Sequence, residues 1–371
     1  MANDIKTELK LIETDAEVQS AIVFLNGTLA HEMNNPIWTW EFKTWPKKTV
    51  LAIIKNRSNN NIIGTQFMMP AVLQIKNADV LTGKSENSHI DPILRGQGLF
   101  ERLYDVAIED CKLKGLNFLW GFTPAIKVFE KKLKFDIFEN TMFNVSVATG
   151  MSRWAVVKAA NKNIATAFAK FGFHFFKYCN YKFKHAAFAN KIQYRKLIAD
   201  FNVANEIVNW NDMEKLYEDL KKSYHDFAHI KMDKAYFDWR IANNKSQNYT
   251  TNFFYRDNIL QGYYIFAKKN YSANLTDFTP LNPSVANVMV CHLLNELNSA
   301  GLSELNYFGN IDFEINRSNF SLLQNFGFKT KLTDGMPFVL KNISDNQGYD
   351  IFLSESKNWY LNGLWTEGFV Y

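Results

Sequence analysis

The sequence predicts a mixed α/β fold: two mixed central sheets flanked by helices, built as two related halves of which the second is degenerate. Three observations carry this. Extended apolar runs alternate with amphipathic helical stretches throughout. An extended run, a glycine-rich turn and a helix follow one another from Ser85 to Leu103. The order of elements in the first half then returns after residue 205.

In chain order, residues 15–30 show helical periodicity through Val18, Ile22, Leu25 and Leu29, followed by the short aromatic element Ile37 to Phe42. Thr49 to Lys55 and Ile62 to Gln74 flank the polar turn Arg57 to Asn61 and read as a hairpin. The chain is extended again from Val80 to Ile90, where it meets Arg95-Gly96-Gln97-Gly98. The following helix carries Leu99, Leu103, Ala107 and Cys111 on one stripe and stops at Gly115. A strand from Leu116 to Phe122, a short helix opened by Pro124, and strands at Lys134-Phe135 and Thr141 to Val147 complete the first half.

In the second half, Tyr236 to Ile241 resembles Ile37 to Phe42, and Trp239 to Gly262 repeats the spacing of Trp40 to Gly64 within one residue. Gly301 and Phe326-Gly327-Phe328 then answer Gly115 and Leu133-Lys134-Phe135. Gly64 to Gly115 is longer than Gly262 to Gly301, and the shortfall is expected at the glycine turn, where the second half has Phe278-Thr279-Pro280-Leu281-Asn282-Pro283-Ser284. Two prolines without donor N–H groups make that segment a poor anion cradle. The expected organisation is 1–148, a connector 149–204, and 205–371 with a closing tail.

Composition excludes several classes. With 47% hydrophobic and 21% charged residues, the chain is neither disordered nor membrane-spanning. No leader pattern opens it, so a cytoplasmic location is expected. Cys111, Cys179 and Cys291 lack disulfide or zinc spacing, and no metal is expected. A net charge of +5 hides a basic stretch: residues 151–200 hold ten Lys or Arg and a single acid, Asp200. A nucleic-acid partner is not supported. Trp154, Val157, Ile164, Phe168, Phe171, Phe175 and Phe176 interleave with lysines there, over a span of 154–196. Two readings stand: a helix packed between the halves, or a basic amphipathic helix contacting an anionic membrane surface.

The glycine turn aims successive backbone N–H groups at one point ahead of a helix, a place for phosphate. Arg95, Gly96, Gln97, Gly98 and Leu99, preceded by Ile90-Asp91-Pro92, resemble the pyrophosphate loop of GNAT-superfamily N-acyltransferases, Arg/Gln-x-x-Gly-x-Gly/Ala. Phe100 replaces the last small residue. The resemblance implies acyl-CoA as co-substrate, its diphosphate on the amides of Arg95 to Phe100 and its pantetheine arm paired near Ile90. Thr123 and Glu130 stand where many members have Asn and an acidic Tyr; Thr123 is kept as a cofactor contact. The tail from Asn358 to Phe369 resembles that of tandem GNAT enzymes of bacterial surface-polysaccharide pathways, which include N-acyltransferases of nucleotide-linked amino sugars. That implies an acceptor pocket using Trp38, Trp359, Trp365 and Glu367.

Acyl transfer to an amine needs a base and an oxyanion donor. On a regular strand Glu86 and Ser88 share one face, and Asn87 and His89 the other. Glu86 and His89 are the candidate bases, and a backbone N–H between Ser88 and Ile90 is the expected oxyanion donor. Which face meets the cleft stays open. Two other functions are weighed: acylation of another amine, on an antibiotic or a protein lysine, and a non-catalytic CoA-binding module.

Overall fold

The computed structural model describes residues 6–28, 32–45, 47–149, 171–173, 175–184, 194–244, 246–270, 272–332, 337–344 and 348–366. Two mixed sheets flanked by helices make up the fold, as expected. The first sheet runs β1 (Thr7–Leu11), β2 (Val50–Asn56), β3 (Ile62–Ile75), β4 (Ala78–Ile90), β5 (Phe118–Phe122), β15 (Phe338–Asn342) and β6 (Asp136–Phe138), with β9 (His229–Ile230) on the far end of β3. The second runs β14 (Lys329–Leu332), β7 (Met142–Ala148), β13 (Glu304–Asn310), β12 (Ser272–Pro280), β11 (Ile259–Lys269), β10 (Asn248–Arg256) and β8 (Asn202–Ala204).

Local chemistry sets the helix starts. Thr14 and Glu17 form a reciprocal capping box ahead of the helix Asp15–Asn26. The helix Leu99–Leu113 buries Leu99, Leu103, Tyr104, Ala107 and Cys111 on the first sheet. Pro283–Ser299 is capped by the Asn282 side chain and covers the second sheet with Val285, Met289 and Leu293. The short aromatic element is helical: Asn35–Trp38 followed by a π-turn, Thr39–Lys43. The strand expected at Lys134-Phe135 begins at Asp136 instead, because Lys134 takes φ +57°, outside strand geometry.

The recurring sequence pattern has matching backbone geometry. Lys234–Phe237 followed by the π-turn Asp238–Ala242 repeats Asn35–Lys43, with Asp233 capping where Asn34 caps. Gly115 and Gly301 both adopt positive φ, as do Lys134 and Gly327. Gly64 lies opposite Ile54 and Ile90, and Gly262 opposite Phe254 and Pro280. A Cβ at Gly64 would come within 2.6 Å of Ile90, and one at Gly262 within 2.8 Å of the Thr279 carbonyl, so both need glycine for close approach.

That register divides the shortfall differently from the expectation. Eight residues separate Ile90 from Leu99, and two separate Pro280 from Pro283. The larger part lies in the hairpin, since β3 and β4 have 14 and 13 residues against 11 and 9 in β11 and β12. The pairing also crosses the expected boundary at 148. Strand β7 of the first half lies in the second sheet, and β15 of the second half lies in the first.

Between the sheets, Trp40 and Trp239 join the halves reciprocally. Each indole N–H donates to the other residue's carbonyl, at 2.7 and 2.8 Å, and the rings stack 10° from parallel. Trp40→Phe keeps a ring but leaves the Trp239 carbonyl without its donor, at an expected cost of about 1–3 kcal/mol. Denaturant unfolding of both single Phe variants and the double should show a double-mutant loss smaller than the sum of the singles; strict additivity would mean the two bonds act independently.

Candidate functional site

Strand β4 pairs in parallel with β5 only at Thr82 to Lys84, opposite Phe118 to Trp120. Beyond that β4 runs on to Ile90, while β5 follows β15 through Phe122 opposite Phe338. Ser85 to His89 are thereby left half-exposed at the edge of a wedge between two strands. Gly121 marks its apex, where an added Cβ would sit 3.3 Å from Ser85.

The β4 edge is not regular. Glu86 pairs with Phe67 and His89 with Thr65, so Asn87 and Ser88 both oppose Gln66, and Asn87 takes φ +49°. This is a β-bulge, and it re-aims the side chains that follow. Directly opposed residues share a face. Glu86 and His89 therefore lie on the face of Thr65 and Phe67, whereas Ser88 joins Ser85 on the other; the alternation expected from a regular strand is corrected by one residue.

On the inner face, the Tyr104 hydroxyl lies 2.7 Å from Ser85 Oγ and 3.3 Å from Ser88 Oγ. The Gln66 amide donates to Ser85 Oγ at 3.1 Å and accepts from Ser88 Oγ. Burial pushes the Tyr104 phenol well above its ordinary value, and hydrogen bonds from the two serines only partly offset this. The network pins the bulge to the helix Leu99–Leu113 and uses Ser88 structurally. Sequence reading passed over Gln66 and Tyr104, although Tyr104 adjoins the stripe residue Leu103.

On the outer face, Glu86 forms an ion pair with Lys84. Lys84 also lines a small cavity of about 30 Å³ between the halves, with Glu41, Trp45, Trp120, Trp239 and Arg240. Trp40 lines this cavity and also an open groove of about 750 Å³. Among the described residues the groove is walled by Asn34, Asn35, Thr39, Thr44, Asn243 and Ser246 together with Pro36 and Ile37, with no charged side chain.

Past Ile90, the Asp91 side chain caps the turn Pro92–Leu94, and Arg95 folds its Nε toward the Ile90 carbonyl at 3.4 Å. Gly96 and Gly98 take φ +82° and +71°, with open space where a side chain would stand. Gly98 caps the helix without any side-chain bond, so the first-turn amides have no side-chain acceptor. Gln97 is exposed, Leu99 is core, and Phe100 packs on Tyr104 and Phe129. Thr123 is buried at the end of β5, its hydroxyl accepting from Ala125 N and its N–H donating to the Pro337 carbonyl.

The aromatic residues expected to face an acceptor lie in the core. Trp38 packs on Phe42 and Phe67, and Trp359 and Trp365 pack on each other and on Phe338, all 1% exposed or less. Their large apolar area is worth more out of water, and the strand exchange supplies the partners. Glu367 lies outside the described residues.

The second sheet carries its own wedge. Strands β12 and β13 pair in parallel from Ser272 to Leu275 and then part. Here the gap is filled by the chain's own tail. Asn362 bridges Gly309 on β13, the Leu361 carbonyl accepts from Asn310 N and Asn316 Nδ2, and a Cβ at Gly363 would lie 2.9 Å from Thr276 Cα on β12. At the register position of Glu86 stands Asp277, opposite Ile265, fully buried. It accepts from Tyr263 at 2.6 Å, Thr279 at 2.8 Å, Asn362 at 2.9 Å and Tyr360 at 3.4 Å. Burial raises its pKa to about 6, although these donors hold it down.

No protein-family model matches the sequence, and no curated protein matches it. Solved structures do. A probable N-acyltransferase of unknown function from Enterococcus faecalis is 9% identical, over 91% of this chain and 72% of that one, with a TM-score of 0.57. For a GCN5-related N-acetyltransferase from Anabaena variabilis the values are 11%, 91%, 73% and 0.59. For the N-myristoyltransferase of Saccharomyces cerevisiae, solved with bound myristoyl-CoA, they are 10%, 91%, 79% and 0.56. The chain shares the fold of GCN5-related N-acetyltransferases.

Two expectations follow from the filled wedge. Gly363→Val sets side-chain atoms against the backbone of Thr276 and should free the tail, read as faster proteolysis after residue 354 and a lower Tm; an equally resistant tail would refute its seating. Asp277 is raised in the folded state, so its contribution is full below the unfolded value of 3.8 and is lost as pH rises through about 6. The stability of the wild type relative to Asp277→Asn should therefore rise by about 2–3 kcal/mol as pH falls from 7 to 4, measured by urea unfolding.

Proposed function

We propose that the chain is an acyl-CoA-dependent N-acyltransferase with one active site, at the β4–β5 wedge. The observation that carries this reading is the continuity of three features: a splayed parallel pair whose β4 strand is bulged, a glycine turn with two positive-φ residues, and a helix whose first-turn amides lack a side-chain cap. The neighbour solved with myristoyl-CoA supports the choice of ligand.

In this reading the pantetheine arm runs along β4 from Ser85 to Ile90, and its diphosphate rests on the amides of Arg95 to Phe100. Those N–H groups and the positive end of the helix dipole suit a dianion. Thr123 borders the wedge at the end of β5. The acyl carbonyl lies at the bulge, where a backbone N–H released from the ladder polarises it. The amine reaches it from the outer face. Glu86 or His89 takes the ammonium proton, the amine nitrogen attacks the carbonyl carbon, the C–S bond breaks, and the second proton that the nitrogen sheds as the amide forms leaves on the departing thiolate as the CoA thiol.

The acceptor we propose is an amino sugar carried on a nucleoside diphosphate, of the kind used for surface polysaccharide. The tail resemblance supports this, and so does the groove beside Trp40, whose amides, hydroxyls and indole suit a neutral polyhydroxylated ring.

Acyl-CoAs and nucleotide-linked amino sugars should each raise the Tm in a thermal-shift screen. Glu86→Gln combined with His89→Asn should lower kcat by about 100-fold or more with acyl-CoA affinity unchanged. Turnover within about threefold of wild type, under 1 kcal/mol of barrier, would remove both residues from the base role.

A further inference from the structure

The two readings of the basic, aromatic stretch differ in where its rings point. Trp154, Val157, Ile164 and Phe168 lie outside the described residues, and the described phenylalanines of that stretch point outward: Phe173 is 58% exposed, Phe176 73% and Phe183 78%, with Phe171 and Phe175 also exposed. The helical residues 175–184 are fastened by their other side to the helices Pro283–Ser299 and Glu314–Asn325. Tyr181 is fully buried, its hydroxyl accepting from Asn298 Nδ2 at 3.3 Å, and Lys184 reaches the Gln324 carbonyl at 3.4 Å. Phe176 and Phe183 are seven residues apart, two helical turns, and so share a side; Tyr181 lies across the helix from them. The packed-connector reading does not describe these rings.

The charge around them has one sign. Lys177 lies over the Phe173 ring at 5.0 Å and Lys329 at 5.4 Å, while Lys182 lies over Tyr178 at 5.7 Å. Of 42 Lys and Arg in the chain, ten fall between 151 and 200, against one of 37 Asp and Glu; elsewhere acids outnumber bases. Lysine stems can lie along apolar surface with their ammonium groups at the headgroups, while phenyl rings enter the acyl boundary. No helix among the described residues is long and apolar enough to cross a membrane, so the contact is interfacial.

We infer that this helix is a docking surface for an anionic lipid bilayer, with Phe176 and Phe183 inserted and the surrounding lysines on the headgroups. The patch is remote in chain and in packing from the β4–β5 wedge, so the inference stands apart from the proposed chemistry.

The test is co-sedimentation of the full chain with vesicles of phosphatidylcholine, alone or mixed with phosphatidylglycerol, at physiological salt. The wild type should bind the mixed vesicles at least tenfold better than phosphatidylcholine alone, and binding should fall as salt rises. Phe176→Ser with Phe183→Ser should reduce binding about tenfold, with circular dichroism and Tm unchanged. Should that variant misfold, Lys182→Glu, at an exposed position, should give a smaller loss in the same direction. No binding by the wild type, or equal binding by folded variants, overturns the inference. So does a wild-type dimer that the double Phe variant dissociates, which would make the patch a contact between two copies.

Discussion

The reciprocal pair Trp40–Trp239 is the contact on which the arrangement of the halves depends. An indole N–H buried without an acceptor is costly. Each of these residues supplies what the other lacks, and the same turn, capped by Asn34 in one half and Asp233 in the other, offers both groups. The geometry is satisfied only when the two turns face each other. That fixes the approach of the sheets, places Trp45 against Trp239, and sets Glu41 and Arg240, one residue beyond each tryptophan, around one small cavity beside Lys84.

From that shared frame the two wedges diverge. Both sheets contain a parallel pair that splits after three or four residues, which ends the ladder between the two strands at both gaps. In the second sheet the gap is filled inside the chain by Leu361 to Gly363, and the carboxylate at the register position of Glu86 is buried under hydroxyl donors that include the tail's Tyr360. In the first sheet no segment among the described residues fills the gap, and the glycine turn follows directly. The difference between the two gaps is therefore more than the length of a loop: the tail seats in one, and no described segment seats in the other.

Much of this was legible in the sequence, because it depended on local signals. The glycine turn, the helix stripe, the hairpins and the matched tryptophans all lie within short windows, and the backbone values at Gly96, Gly98, Gly115 and Gly301 agree with them. What was not legible depended on register. One extra residue at Asn87 moves Ser88 to the inner face and sets His89 beside Glu86's face, and no residue type marks that position, since asparagine at positive φ also fits an ordinary turn. The tail resemblance implies an acceptor-facing role for Trp38, Trp359 and Trp365, yet tryptophan is equally a core residue, and tertiary pairing buries all three. The glycine-to-glycine count gave a true difference in length, but strand pairing was needed to divide it between hairpin and loop.

The strand exchange explains why the open wedge stays open. The far edge of β5 is held by β15 from Phe118 to Phe122, and Thr123 N–H continues onto the Pro337 carbonyl. These bonds draw β5 away from β4 just past Gly121, so the second half holds apart the first half's wedge. The converse holds in the second sheet, where β7 lines the far edge of β13 from Glu304 to Asn310. Neither gap can be shaped by its own half alone. A chain built this way shapes its wedges only when both halves have folded and exchanged strands, which ties their geometry to the global fold rather than to either sheet.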